Sequence, residues 1–175
     1  MDDLPQALRS KAMDWLAQRE YSRHEISQKL HDRFSRELRK QHAGSQNVEG
    51  QIAEGLAGLT KAIAATLDWL ETQNFLNDER CARLFVGSYI NRGYGALRIR
   101  QELVFRKGLA ERLVEQQMAE AQCDWLQLAR QVLLRRFPGP AKDMKEKARR
   151  LRFLQSRGFL ADQCYGALNL TDVDT

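Results

Sequence analysis

Arg92-Gly-Tyr-Gly-Ala-Leu-Arg-Ile-Arg-Gln-Glu-Leu103 is the stretch on which the fold turns. A helical pattern runs in from a polar cap at Asn77-Asp-Glu79 and stops at Gly93-Tyr-Gly95. Apolar residues resume at Ile99 and Leu103, five and nine positions after Tyr94. Those two are four apart and share a helix face, with Tyr94 placed to pack near its start. The unit is therefore helix, glycine turn, helix.

The same offsets recur along the chain. Tyr21 is followed by Ile26 and Leu30, Leu109 by Val114 and Met118, and Phe159 by Cys164 and Leu168. Gly93, Gly108 and Gly158 immediately precede three of the four anchors. A fifth junction at Phe75 keeps Leu84 at offset nine but has Arg80 at offset five. Units of this size cannot bury an apolar face alone and must pack on neighbours. Tyr21, Phe75, Tyr94, Leu109 and Phe159, with Gly93, Gly95, Gly108 and Gly158, are the expected structural anchors.

Periodicity and capping signals extend the pattern. Helices are expected at about 6–19, from a Ser22–Glu25 capping box to Phe34, and from Ile52 to Gln73. Others follow at about 77–92, 97–107, 110–121, from Asp124 to Phe137, and at 142–157 and 161–169. Residues 41–50 form a polar, glycine-containing break, Gly55 and Gly58 weaken the next helix, and Pro138-Gly-Pro140 is the strongest breaker. The final TDVDT is expected to fray. No strand is expected, in keeping with 24 leucines against 11 valines and isoleucines. The fold class is all-α.

The 175 residues carry 28 basic and 23 acidic side chains, a net charge of +5 that conceals strong local bias. Residues 1–60 are neutral. Residues 80–107 hold seven cations against Glu102 alone, and residues 130–157 hold ten against Asp143 and Glu146. Lys142, Lys145, Arg149 and Arg152 recur at three- and four-residue steps and are expected to form one helical stripe. Such windows suit phosphate or an acidic protein groove, although a solvated surface accounts for them equally well.

Other chemistries find little support. Cys81, Cys123 and Cys164 are odd in number with no CxxC pair, the pattern of a reducing cytoplasm. No run of about 18 apolar residues suggests a membrane span, and the acidic start is unlike a secretory signal. His24 and His31 lie seven apart without a third ligand, and His42 falls in the loop. Glu71, Asp78 and Glu79 are explained by helix capping. Phosphate loops, GxSxG and HExxH are absent. A non-enzymatic protein without cofactor or metal is expected, and glycine turns between short helices keep a helix-turn-helix DNA-binding regulator as the alternative.

The stretch from Phe75-Leu-Asn-Asp-Glu-Arg-Cys-Ala-Arg-Leu-Phe85 through Leu103 closely resembles the RecX family, bacterial regulators of the RecA recombinase. Lys107-Gly-Leu109, Asp124-Trp125 with Ala129, and Arg152-Phe-Leu-Gln-Ser-Arg-Gly-Phe159 fit as well, and residues 15–26 resemble the family's first module. Departures are a long insertion at about 35–60 and Ala96 where proline is common. The resemblance implies an elongated array of three tandem three-helix modules, at 1–75, 76–121 and 122–175. It also implies binding along the RecA–single-stranded DNA filament and inhibition of recombinase, ATPase and co-protease activity, hence roles in DNA repair, recombination and the SOS response. Arg92, Arg98 and Arg100 are contact candidates by motif position. Arg106, Lys107, Lys142, Lys145, Arg149 and Arg152 join them on charge. A cytoplasmic monomer is expected, with weak non-specific contact to single- or double-stranded DNA left open.

Overall fold

The computed structural model describes residues 3–41 and 48–173. Among them are nine α-helices and no strand: α1 (Leu4–Leu16), α2 (Arg23–Gln41), α3 (Val48–Thr72), α4 (Asp78–Asn91), α5 (Ala96–Arg100), α6 (Glu111–Glu120), α7 (Trp125–Arg136), α8 (Met144–Ser156) and α9 (Ala161–Val173). α5 runs directly into a π-helical segment, Gln101–Arg106. The chain divides into two compact units, Met1–Cys81 and Ala82–Thr175.

The first unit is built on α1, α2 and α3. Leu8 and Ala12, Ile26 and Leu30, and Leu59, Ile63, Leu67 and Leu70 bury the apolar stripes of the three helices against one another. The Ser22–Glu25 capping box forms in both directions. Ser22 Oγ accepts from the Glu25 backbone N–H at 3.1 Å, and the Glu25 carboxylate accepts from the Ser22 N–H at 3.2 Å. α2 continues seven residues past Phe34, so the expected insertion is mostly helix. Of the loop expected at 41–50, Gln41 and 48–50 are helical, and 42–47, including His42, lie outside the described residues. Gly55 is a close-approach position, where a Cβ would press on the Leu38 side chain.

Two clusters form the second unit. Ala82, Val86, Ile99, Leu103, Leu109, Val114 and Met118 make one, and Ala129, Val132, Leu133, Phe137, Leu154, Phe159, Cys164, Ala167 and Leu168 the other. Burial lifts the Cys164 thiol pKa to about 11, as expected of a small core residue. α9 runs on through Val173, so Thr171 to Val173 of the terminal TDVDT are helical, and 174–175 lie outside the described residues.

The repeated offsets are borne by buried side chains. Eleven of the twelve residues in the four series are buried, and Tyr94 is half-buried. Phe75 departs from this pattern: it is 41% exposed and tilts against Trp69, while Leu76 is buried in its place. The backbone explains why. Asn74, Gly93 and Gly158 all end their helices at positive φ. Each donates its N–H three residues back, and the next residue donates five back. After Phe75, however, the next helix starts three residues on, against two after Tyr94 and Phe159. The extra residue shifts the phase, so Leu76 carries the offsets to Cys81 and Phe85, and Arg80 turns away to pair with Glu20.

Candidate partner-binding surface

The Arg92–Leu103 stretch lies at the junction of the second unit's two three-helix groups, and its turn is closed by the turn after α8. Gly95 N–H donates to the Arg157 carbonyl at 2.9 Å and Leu97 N–H to the Gly158 carbonyl at 3.1 Å. Arg157 completes the join, its Nη1 donating to the Arg92 carbonyl at 2.9 Å and its guanidinium lying 5.2 Å from the Tyr94 ring centroid. Neither glycine admits a side chain. A Cβ on Gly95 would overlap the Gly158 peptide, and one on Gly158 would overlap Arg98. Gly93 is closed by Val132. Gly95 and Gly158 thus serve close backbone contact.

Most cations around this turn are held from within. Arg98 Nη2 pairs with Glu102 at 2.9 Å and covers the Tyr94 ring, and Arg106 reaches the other oxygen of Glu102 at 3.3 Å. Arg100 bonds Glu115, with Glu111 at 3.9 Å, and that bond raises its pKa further. Lys107 sits 3.8 Å from the Phe85 ring centroid. Arg92 is exposed, 5.6 Å from the Tyr89 ring. Of the candidates in this segment, Arg98 and Arg100 brace the fold, Arg106 shares a buried carboxylate, and Arg92 keeps its guanidinium outward.

The second basic segment is arranged differently. α8 is capped by Asp143, whose carboxylate accepts from the Glu146 N–H at 2.7 Å. The expected stripe therefore needs correction: Lys142 precedes the helix, and only Lys145, Arg149 and Arg152 stand on it. All four nevertheless line one surface depression of about 400 Å³, together with Asp143 and Glu146. None of the four makes a side-chain ion pair among the described residues, because both carboxylates are engaged elsewhere. Glu146 accepts from the Lys142 backbone N–H at 3.0 Å and from Arg150 Nη2 at 2.9 Å, which hold its pKa below the ordinary carboxylate value.

Arg150 is the residue that charge counting missed. It is 1% exposed, and its guanidinium donates to the carbonyls of Gly139 at 2.8 Å and Pro140 at 3.2 Å. The Pro138-Gly-Pro140 breaker is thereby tied to α8, with the Arg150 and Arg149 guanidiniums both facing Phe137. The sequence signal was a loop with few backbone donors of its own, followed within a dozen residues by a helical arginine.

The remaining polar candidates have local explanations. Arg23 pairs with Asp68 at 2.7 Å and with Glu71, and its N–H donates to Asp78 at 2.8 Å. Burial outweighs that bond and raises the Asp78 pKa. His24 is exposed and His31 half-buried. No group of three or more His, Cys, Asp or Glu among the described residues is arranged to hold a metal, and none of their helices is long and apolar enough to cross a membrane.

Comparison with known proteins follows the same division. Residues 77–118 match the second three-helix domain of RecX, and residues 122–168 match the third. The regulatory protein RecX of Halorhodospira halophila is 34% identical over 170 residues, 97% of this chain and 91% of that protein. That of Vibrio parahaemolyticus is 42% identical over 113 residues, 64% of this chain and 72% of its own. The crystal structure of RecX from Lactobacillus salivarius superimposes with a TM-score of 0.68 at 16% identity, covering 97% of this chain and 99% of that one.

Proposed function

The chain belongs to the RecX family, and from that premise we propose that it binds the RecA–single-stranded DNA filament and inhibits its recombinase, ATPase and co-protease activities. The observation that carries this reading is the 34% identity to a RecX regulatory protein over 97% of the chain. In this reading it is a cytoplasmic, monomeric regulator of DNA repair, recombination and the SOS response, without catalysis of its own. The family resemblance divides it into three modules, 1–75, 76–121 and 122–175.

The physical support is the depression on α8. Lys142, Lys145, Arg149 and Arg152 line it without a side-chain ion pair among the described residues, an arrangement suited to acidic protein or DNA phosphate on a filament. Arg92 adds an outward guanidinium, while Arg98 and Arg100 contribute by holding the turn and α6. Substoichiometric protein is expected to suppress DNA-dependent ATP hydrolysis by preformed filaments. Undiminished hydrolysis and strand exchange at large excess would reject the reading. Binding to a preferred duplex sequence that survives raised salt would instead favour the helix-turn-helix regulator.

A further inference from the structure

α4 turns outward a face that the core does not use. The extra loop residue after Phe75 sets the phase of this helix, so Cys81 is buried, Phe85 packs on the core and Leu84 is left 53% exposed. Leu84 lines a surface depression of about 530 Å³ with Arg83, Gly87, Ser88, Asn91 and Arg92. These residues form two adjacent rows, Arg83–Gly87–Asn91 and Leu84–Ser88–Arg92, each advancing four residues at a time. A single exposed leucine is ordinary. Gly87 beside it is less so, because it stands in the interior of α4, where alanine would favour the helix. The fold itself does not require this glycine. A Cβ there would meet nothing within 4 Å, whereas one on Gly55 or Gly166 would press on Leu38 or Leu126. Gly58 on α3 is likewise open, so an open glycine is no site by itself. At Gly87 the bare backbone shares one depression with a leucine and two arginines, and the missing side chain leaves room for another chain to come close.

The charge lining this depression belongs to Arg83 and Arg92. Both are exposed, neither makes an ion pair among the described residues, and no carboxylate lines the depression. Glu79, one turn before Arg83, belongs to the first turn of α4 and lies outside it. The two arginines are nine residues apart, about 13 Å along the helix. An apolar side chain with an unpaired arginine toward each end is complementary to an acidic protein segment that brings an apolar side chain of its own. A DNA strand fits less well. Leu84 offers no π face to a base, and two cations over nine residues are sparse for a chain charged at every nucleotide.

We propose that the outward face of α4 docks an acidic protein segment, with Leu84 meeting an apolar side chain of that segment beside Gly87, and Arg83 and Arg92 pairing with its carboxylates. The inference rests on the functional reading above, in that the recombinase within the filament is the partner tested. It adds a partly apolar contact to the electrostatic one on α8.

The test measures binding of the full chain to preformed filament and, separately, to free single-stranded DNA, for wild type, Gly87→Gln, Leu84→Ala and Arg83→Ala. Gly87→Gln decides most, because glutamine favours helix over glycine and its side chain would enter open space. Its melting temperature should equal or exceed that of wild type while its filament affinity falls about tenfold or more. Leu84→Ala should weaken filament binding with a loss that persists at raised salt. The loss in Arg83→Ala should shrink as salt rises. Binding to free single strands, at whatever level wild type shows it, should not change. Wild-type affinity for filament in Gly87→Gln overturns the inference alone. So does a lowered melting temperature in that variant, which would give Gly87 to the fold's own packing, or an equal loss on free single strands, which would make α4 a DNA-contacting face. Wild type that does not bind filament overturns the functional reading and this inference together.

Discussion

Residues 92–106 and 142–152 look alike as sequence, both arginine-rich and both poor in acid, yet the fold uses them in opposite ways. In the first, carboxylates from the same and the following helix pair with the guanidiniums: Glu102 with Arg98 and Arg106, and Glu115 with Arg100. In the second, the two acids turn to the helix start and to Arg150, leaving four cations lining one depression. Local net charge therefore does not measure the charge available to a partner. What decides it is where the few carboxylates go, and helix capping is what removes them from the second segment.

The comparison breaks most sharply at the turn that closes the first segment. Gly95→Ala places a methyl group into the Gly158 peptide, where no flexible side chain can yield, and opens both backbone bonds of the join. A loss of about 4 kcal/mol is expected, the scale of strain and broken buried bonds combined. For a chain of this length that lowers the melting temperature by roughly 10 °C or more. Scanning calorimetry decides it, and a variant melting within 2 °C of wild type would mean that the turn is not a structural joint.

Next in size is Arg150→Ala. It removes a buried side chain and the three hydrogen bonds that tie the Gly139 and Pro140 carbonyls and the Glu146 carboxylate to α8, with an expected cost of about 2 kcal/mol in chemical denaturation. Arg150→Lys should recover little, because one ammonium cannot reproduce a planar fork serving three acceptors. Full rescue by lysine would show that only the charge matters there.

The segments themselves are separated by charge reversal. Lys145→Glu, Arg149→Glu and Arg152→Glu together should weaken filament binding about tenfold at low salt, with the difference shrinking as salt rises. Stability should stay within about 1 kcal/mol of wild type, since all three side chains are exposed and only Arg149 gives up an internal contact, with the Phe137 ring. Arg100→Glu should show the reverse pattern, a lower melting temperature through repulsion from Glu111 and Glu115. Its affinity should fall only as far as folding does. Loss of binding by Arg100→Glu at an unchanged melting temperature would return the contact surface to the first segment.

Much of the fold was legible because its signals are local. The caps at Ser22, Asn77 and Asp124 act within three residues, and the five- and nine-residue offsets lie within one turn and its helix. Phe75 was misjudged by one position because a single additional loop residue shifts helix phase without altering composition. Lys142 fitted the period of α8 and hid the cap at Asp143. The surface was less legible. Glu102 lies at helical spacing from Arg98 and Arg106, so those pairs could be read from sequence. Arg100 finds Glu115 fifteen residues away, and the join between Gly95 and Gly158 spans more than sixty, distances at which no pattern in the chain announces a contact.

The smallest expected effect concerns Glu146, whose carboxylate is engaged at the start of α8 by the Lys142 N–H and by Arg150. The Lys142 N–H and Arg150 hold the Glu146 pKa below its ordinary value, so the folded state binds this proton less readily than the unfolded chain. The resulting stabilisation is present above the unfolded pKa and is lost as pH falls through the lowered folded one, placing the change in the acid range below neutral. Protonation should release the Lys142 N–H and loosen the start of α8 without unfolding the unit. The protection factor of the Lys142 amide should fall as pH drops through that window in wild type, and be low and nearly independent of carboxylate titration in Glu146→Ala. Equal protection in both proteins across the window would show that the loop after Phe137 is held by Arg150 and the Asp143 cap alone, and that Glu146 is no part of what turns the four cations outward.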